Sequence, residues 1–186
     1  KEWNGTAVTT SATTAKPEVD AYSISNDAGA ANRLELFSEF GRYTGGRVYV
    51  NTVKGTAGTD DDENGTDANH ALLWADAVTL AISKKLNHFH LSPDSSITLT
   101  ASAASQVFEG DGYTIVLGGQ DVSQAHIYHA NDVSGIATTP TGHAHIIGSH
   151  IGALTIGETH FTTCGFQNTL TLSATGDYVK IGRAHV

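Results

Sequence analysis

Phe89-His90-Leu91, Ile97-Thr98-Leu99, Val107-Phe108, Thr114-Ile115-Val116-Leu117, His126-Ile127-Tyr128, His145-Ile146-Ile147, Leu154-Thr155-Ile156, His160-Phe161-Thr162, Leu170-Thr171-Leu172 and Tyr178-Val179 follow one another along the chain. The runs are short and rich in β-branched or aromatic residues, and Gly, Asn, Asp, Ser or Pro lies between most neighbours. That punctuation predicts an all-β architecture. Three runs share an apolar-Thr-apolar triplet, and Ala125-His126-Ile127 returns as Ala144-His145-Ile146. A repeat of roughly 18–20 residues, each unit too short to bury its own face, predicts a stacked coil of parallel strands. The expected fold is mainly β, a right-handed parallel β-helix-like stack or β-prism shaft, and the reading leans away from an enzyme.

The segment ahead of these runs predicts a cap. Arg47 to Val53 reads as a strand, Lys54 to Asp67 as an acidic Gly-rich loop, and Asn69 to Leu86 as a helix. Ala71, Ala75, Val78, Ile82 and Leu86 would share that helix's buried face. Thr66 or Asp67 would cap its start, and Lys84-Lys85 would suit its C-terminal dipole. A strand from His88 to Pro93 follows, so residues 45–93 form a strand–helix–strand cap over a body at 94–180. Residues 1–44 read as a Thr/Ala/Ser/Asn-rich extension with a short helix around Leu34, Phe37 and Phe40.

With 186 residues and 39% apolar content the chain can bury a core, and no apolar run is long enough to span a membrane. The formal net charge is −9 with histidine neutral, and no Lys or Arg occurs between Lys85 and Lys180. Nucleic acid is therefore not an expected partner. The single cysteine, Cys164, cannot form an internal disulfide. Nine of the ten histidines fall between His88 and His185.

Gly45-Gly46-Arg47-Val48-Tyr49-Val50, the acidic loop, the Ala-rich helix, Glu109-Gly110-Asp111-Gly112-Tyr113 and Thr162 to Leu172 with Gly176-Asp177-Tyr178 resemble tailed-bacteriophage tail fibre and tailspike proteins. The resemblance covers roughly Gly45 to Tyr178. It implies an elongated homotrimeric virion protein, outside the host cell, whose partners are its own copies, other tail proteins and bacterial surface polysaccharide. Polysaccharide depolymerase and bacterial surface adhesin are the alternatives. Ile181-Gly182-Arg183-Ala184-His185-Val186 resembles the translation of a common short-read sequencing adapter. The expectation is a metagenomic fragment cut near Lys180, with 181–186 an artefactual tail.

Four groups of residues are candidates for chemistry. His88-Phe89-His90 and His143-Ala144-His145 are His-x-His motifs, and in a strand both imidazoles of each face the same way. On a three-fold axis one motif would supply six nitrogens to a transition metal; otherwise these histidines form a solvent-facing ladder. Asp60, Asp62 and Asn64 match the first half of a calcium-loop pattern, but the closing Glu is missing, so a solvated loop before a helix is the competing reading. Glu109 and Asp111 are the weak candidates for glycosidase carboxylates, against an ordinary turn. Tyr113, Tyr128 and Phe166 would stack on sugar rings if they lie exposed on turns.

Overall fold

The computed structural model describes residues 43–60, 63–138, 143–173 and 179–182. It is mainly β, with parallel sheets wound into a β-solenoid of about five turns. The strands are β1 (Val48–Val50), β2 (His88–Leu91), β3 (Ser96–Thr98), β4 (Val107–Gly110), β5 (Thr114–Val116), β6 (His126–Tyr128), β7 (Asp132–Ile136), β8 (Ala144–Ile147), β9 (His150–Ile156), β10 (Thr159–Thr162), β11 (Gly165–Phe166), β12 (Leu170–Leu172) and β13 (Val179–Gly182). The chain alternates between two sheets. One runs β1-β2-β4-β6-β8-β10-β13, and the other runs β11-β9-β7-β5-β3, with β12 also on β9.

The register accounts for the sequence repeat. His88 pairs with Val107, Val107 with His126 and His126 with His145, a repeat of 19 residues. The next coil is shorter, pairing His145 with His160. The two Ala-His-Ile segments lie side by side, as do Leu154-Thr155-Ile156 and Leu170-Thr171-Leu172. Alternation along each strand sends every second residue inward. Val48, Phe89, Phe108, Ile127, Ile146 and Phe161 form one continuous buried row in the first sheet. Ile97, Ile115, Val133 and Ile151 form its counterpart in the second. Phe89 and Phe108 stack with ring centroids 5.6 Å apart. Such rows are the energetic reason for the stack, since each fully buried large side chain contributes about 1.5–3 kcal/mol.

The corners repeat as well. His129, Gly148 and Thr163 all have positive φ at the same place in successive coils. At Gly110 and Gly118 a Cβ would run into the carbonyl oxygen of Leu91 and Leu99 in the coil below. Neighbouring coils approach there closely enough that only glycine fits.

The strand–helix–strand unit is present, and its two strands are the first rungs of the first sheet. Its helix, α1 (Trp74–Lys84), is shorter than the sequence predicts, and its inward face is only partly the expected one. Ala71 is buried ahead of the helix and Val78 and Leu86 pack partly buried on the core, but Ala75 and Ile82 are exposed. Trp74, Ala77, Leu80 and Ala81 are buried, whereas Ile82 is 74% exposed. Trp74 packs on Phe89 and Phe108 at 4.8 and 5.9 Å, which puts the largest ring of the helix against the end of the aromatic row. The start is not capped by Thr66 or Asp67. Leu73 occupies the N-cap without a side-chain bond, and the Thr66 hydroxyl accepts from the Asn69 N–H in the preceding turn. Lys85 ends the helix in the left-handed conformation. Ile181 and Gly182 pair with Phe161 and Thr162 through β13. Apart from Tyr43 and Thr44, the extension at 1–44 lies outside the described residues, as do 183–186. No helix among the described residues is long and apolar enough to cross a membrane.

Candidate functional site: the outer face of the first sheet

The alternation that buries Phe89 and Phe108 turns His88, His90 and Glu109 outward. The same holds for His126, Tyr128, His145 and His160 on β6, β8 and β10. Two groups of polar side chains result.

Glu109 is the centre of the first. His88 Nε2 lies 3.0 Å from its Oε2, His90 Nδ1 lies 3.3 Å from its Oε1, and the Arg47 guanidinium contacts Oε1. Arg47 reaches it because β1 pairs with β2 so that Val48 faces Phe89. Tyr49 closes the side of the group, its ring 5.2 Å from His90 and 5.4 Å from His70. Burial pushes the Glu109 carboxyl up, but the hydrogen bond from His90, then His88 and Arg47, bring it below the ordinary range. Burial, and behind it the charge of Asp67, raises the Tyr49 phenol.

The second group is a ladder of imidazoles. His126 and His145 stack at 4.7 Å with their planes 9° apart. His160 meets His145 edge-on at 5.0 Å and stacks on His143 at 4.7 Å. Glu158 Oε2 lies 3.3 Å from His143 Nδ1, and the Tyr128 hydroxyl is 3.2 Å from His126 Nδ1. Lys180 stands opposite His160 in the register. Burial, then the neighbouring His126, His160 and His143, lowers the His145 pKa. Charges this close repel by about 1 kcal/mol even in bulk water.

No protein-family model, curated protein or solved structure matches this chain. The site is therefore read from its own geometry.

Neither His-x-His motif presents two disengaged imidazoles. His88 and His90 both turn to Glu109, and His143 and His145 belong to the ladder. Among the described residues no group of three or more His, Cys, Asp or Glu side chains is placed to hold a metal ion. In the calcium-like loop, Asn64 is buried and its side-chain oxygen accepts from Asn69 Nδ2 at 3.0 Å. The Asp60 carbonyl accepts the Asn64 N–H, and Asp62 lies outside the described residues. Asp111 is 90% exposed and lies 3.8 Å from His129 at a corner.

Two of the three aromatic candidates differ from expectation. Tyr113 is fully buried and donates to the Tyr128 carbonyl at 2.9 Å, so it cannot stack on a sugar. Its run begins with an inward residue, and burial lifts its phenol far above the ordinary value. Phe166 is half-buried and packs edge-on against Phe161 at 5.2 Å. Tyr128 remains on the outer face, beside His126. Cys164 is buried, its thiol 3.2 Å from the Ile146 carbonyl and its pKa raised by burial.

Sequence reasoning did not place Arg47, His126 or His160 in a site. The repeated Ala-His-Ile segment carried the signal for His126, because residues one coil apart on a solenoid are neighbours.

Proposed function

We propose that this chain is a structural β-solenoid of a tailed-bacteriophage tail fibre or tailspike. In this reading it assembles as a homotrimer, works outside the host cell beside other tail proteins, and meets bacterial surface polysaccharide along the outer face of its first sheet. The observation that carries the reading is the imidazole and tyrosine ladder on a rigid parallel stack. Rings at fixed spacing on a surface that cannot collapse suit contact with an extended sugar chain, because flat π faces pack on sugar rings. The resemblance of Gly45 to Tyr178 to tail fibre and tailspike proteins supplies the virion context. The test is sedimentation of the expressed chain with a glycan-binding assay. A mass of three chains and binding that falls at least tenfold when Tyr128 and His145 become Ala are expected. A monomer that binds no glycan overturns the proposal.

The grouping of Arg47, His88 and His90 around Glu109 favours a second reading, a polysaccharide depolymerase. Glu109 would be its acid or base, and the second carboxylate of a hydrolase would have to come from elsewhere than Asp111. Release of reducing ends that disappears in Glu109→Gln is what this reading requires.

A further inference from the structure

The ladder is unusual in charge as well as shape. It lies in the interval without Lys or Arg, so at neutral pH its outer surface holds little positive charge. The permanent cations at its ends are Arg47, already on Glu109, and Lys180, opposite His160. The ladder's four imidazoles are the reserve, in a chain whose formal net charge is −9 with histidine neutral. Protonation would convert a neutral aromatic strip into a cationic one.

We infer that the row His126, His145 and His160, with His143 beside it, is a binding site for an acidic polysaccharide, engaged when its imidazoles take up protons. The inference rests on glycan contact along this face and adds the ligand's charge and the condition for binding. Three observations carry it. One imidazole per coil makes a linear row with ring separations of 4.7 and 5.0 Å, which answers repeated anionic groups along a polymer better than a single small anion. The row lies on an open sheet, and a cavity of about 320 Å³ is elsewhere, between Asn51, Lys54 and Asp94. His145 stands between His126 and His160, and burial with those neighbours disfavours a proton there, so an anion that bridges the imidazoles offsets that cost.

Each element packed against His145 fits this account. β6 contributes His126 and Tyr128 and β10 contributes His160, while Lys180 lies one strand farther, opposite His160 on β13. Glu158 faces His143, with its Oε2 3.3 Å from Nδ1, and is the carboxylate in contact with the ladder. Farther along the sheet, Glu109 occupies His88 and His90, which leaves them less able to take part. At the corner, His129 is already beside Asp111. Duplex nucleic acid, which binds through permanent cations, fits less well.

The test measures binding of the intact chain to polygalacturonate, dextran and double-stranded DNA at pH 7.5 and 5.5. Polygalacturonate is expected to bind at least tenfold tighter at pH 5.5, with affinity that falls as salt rises. His126→Gln, His145→Gln and His160→Gln should each reduce the gain several-fold. His150→Gln, an exposed histidine on β9 in the other sheet, should keep it. Using single variants and this control separates lost binding from lost folding. Equal affinity at both pH values, a gain that survives all three ladder variants, or equal gain for DNA overturns the inference. Dextran binding as tight as polygalacturonate at both pH values would overturn it while leaving the glycan-contact reading intact. Failure of every glycan at every pH would overturn that reading too.

Discussion

Changing Glu109 to Gln would leave the Arg47 guanidinium, His88 and His90 facing a neutral amide. These side chains are partly solvated, so the expected loss is only about 1 kcal/mol at pH 7, measured by urea denaturation. The pH dependence has a definite sign. The folded carboxyl titrates below its unfolded value, so its contribution is fully present above the unfolded value and is lost as pH falls from there through the lower, folded one. Wild type and Glu109→Gln should therefore converge in stability at strongly acidic pH. Tyr113→Phe makes a contrasting case. It removes the hydroxyl that donates to the Tyr128 carbonyl and should cost about 1 kcal/mol without changing glycan binding. Single-residue chemistry at these positions was partly legible. The His-x-His spacing picked four side chains that do share faces, but a motif cannot reveal that Glu109 reaches His88 and His90 from the next coil and that Arg47 joins them on that carboxylate.

Elements were legible where periodicity was simple and obscure where two patterns competed. Helix α1 has apolar residues on more than one side, and Ala71, Ala75, Val78, Ile82 and Leu86 fit helical spacing as well as the observed face does. Tertiary context decides, because the coil end presents Phe89 and Phe108 and the Trp74 ring fills that space. Leu80→Ala should therefore cost about 2–5 kcal/mol, while Ile82→Ala should stay within about 0.5 kcal/mol. A reversed order in chemical denaturation would restore the face expected from the sequence. Strand β7 was missed because Asp132, Ser134 and Gly135 look like turn residues, yet a side chain facing solvent in a solenoid can be polar or absent. Corner glycines can be tested in the same way. Gly118→Ala meets the Leu99 carbonyl and should destabilise more than Gly119→Ala, which has open space and incurs only the left-handed strain of about 1–2 kcal/mol.

Over the whole molecule, one repeat sets both the core and the outer face, so a residue's neighbours lie one coil away in sequence. That is why the fold was readable from turn-punctuated runs, whereas the ladder required the register, including the short coil that brings His160 beside His145. The arrangement also fixes how stability follows pH. His145 binds its proton less readily folded than unfolded, owing to burial and to His126, His160 and His143. A histidine with a lowered folded pKa contributes nothing adverse above its unfolded value. As pH falls through that value, the unfolded chain takes up the proton first and the folded state loses ground. Without ligand, the Tm should thus decline between about pH 7 and pH 5, before Glu109 begins to protonate. The decline should be a few degrees, given that 1 kcal/mol moves a chain of this size by roughly 2–4 °C. Replacing His145 with Gln should flatten it, because the same change removes the most crowded imidazole and its repulsion with three others. Polygalacturonate should raise the Tm at pH 5.5 in wild type and raise it less in His145→Gln, since a ligand that binds only the folded state raises its stability. A Tm that stays level from pH 7 to pH 5 without ligand would mean that the stacked imidazoles do not resist protonation.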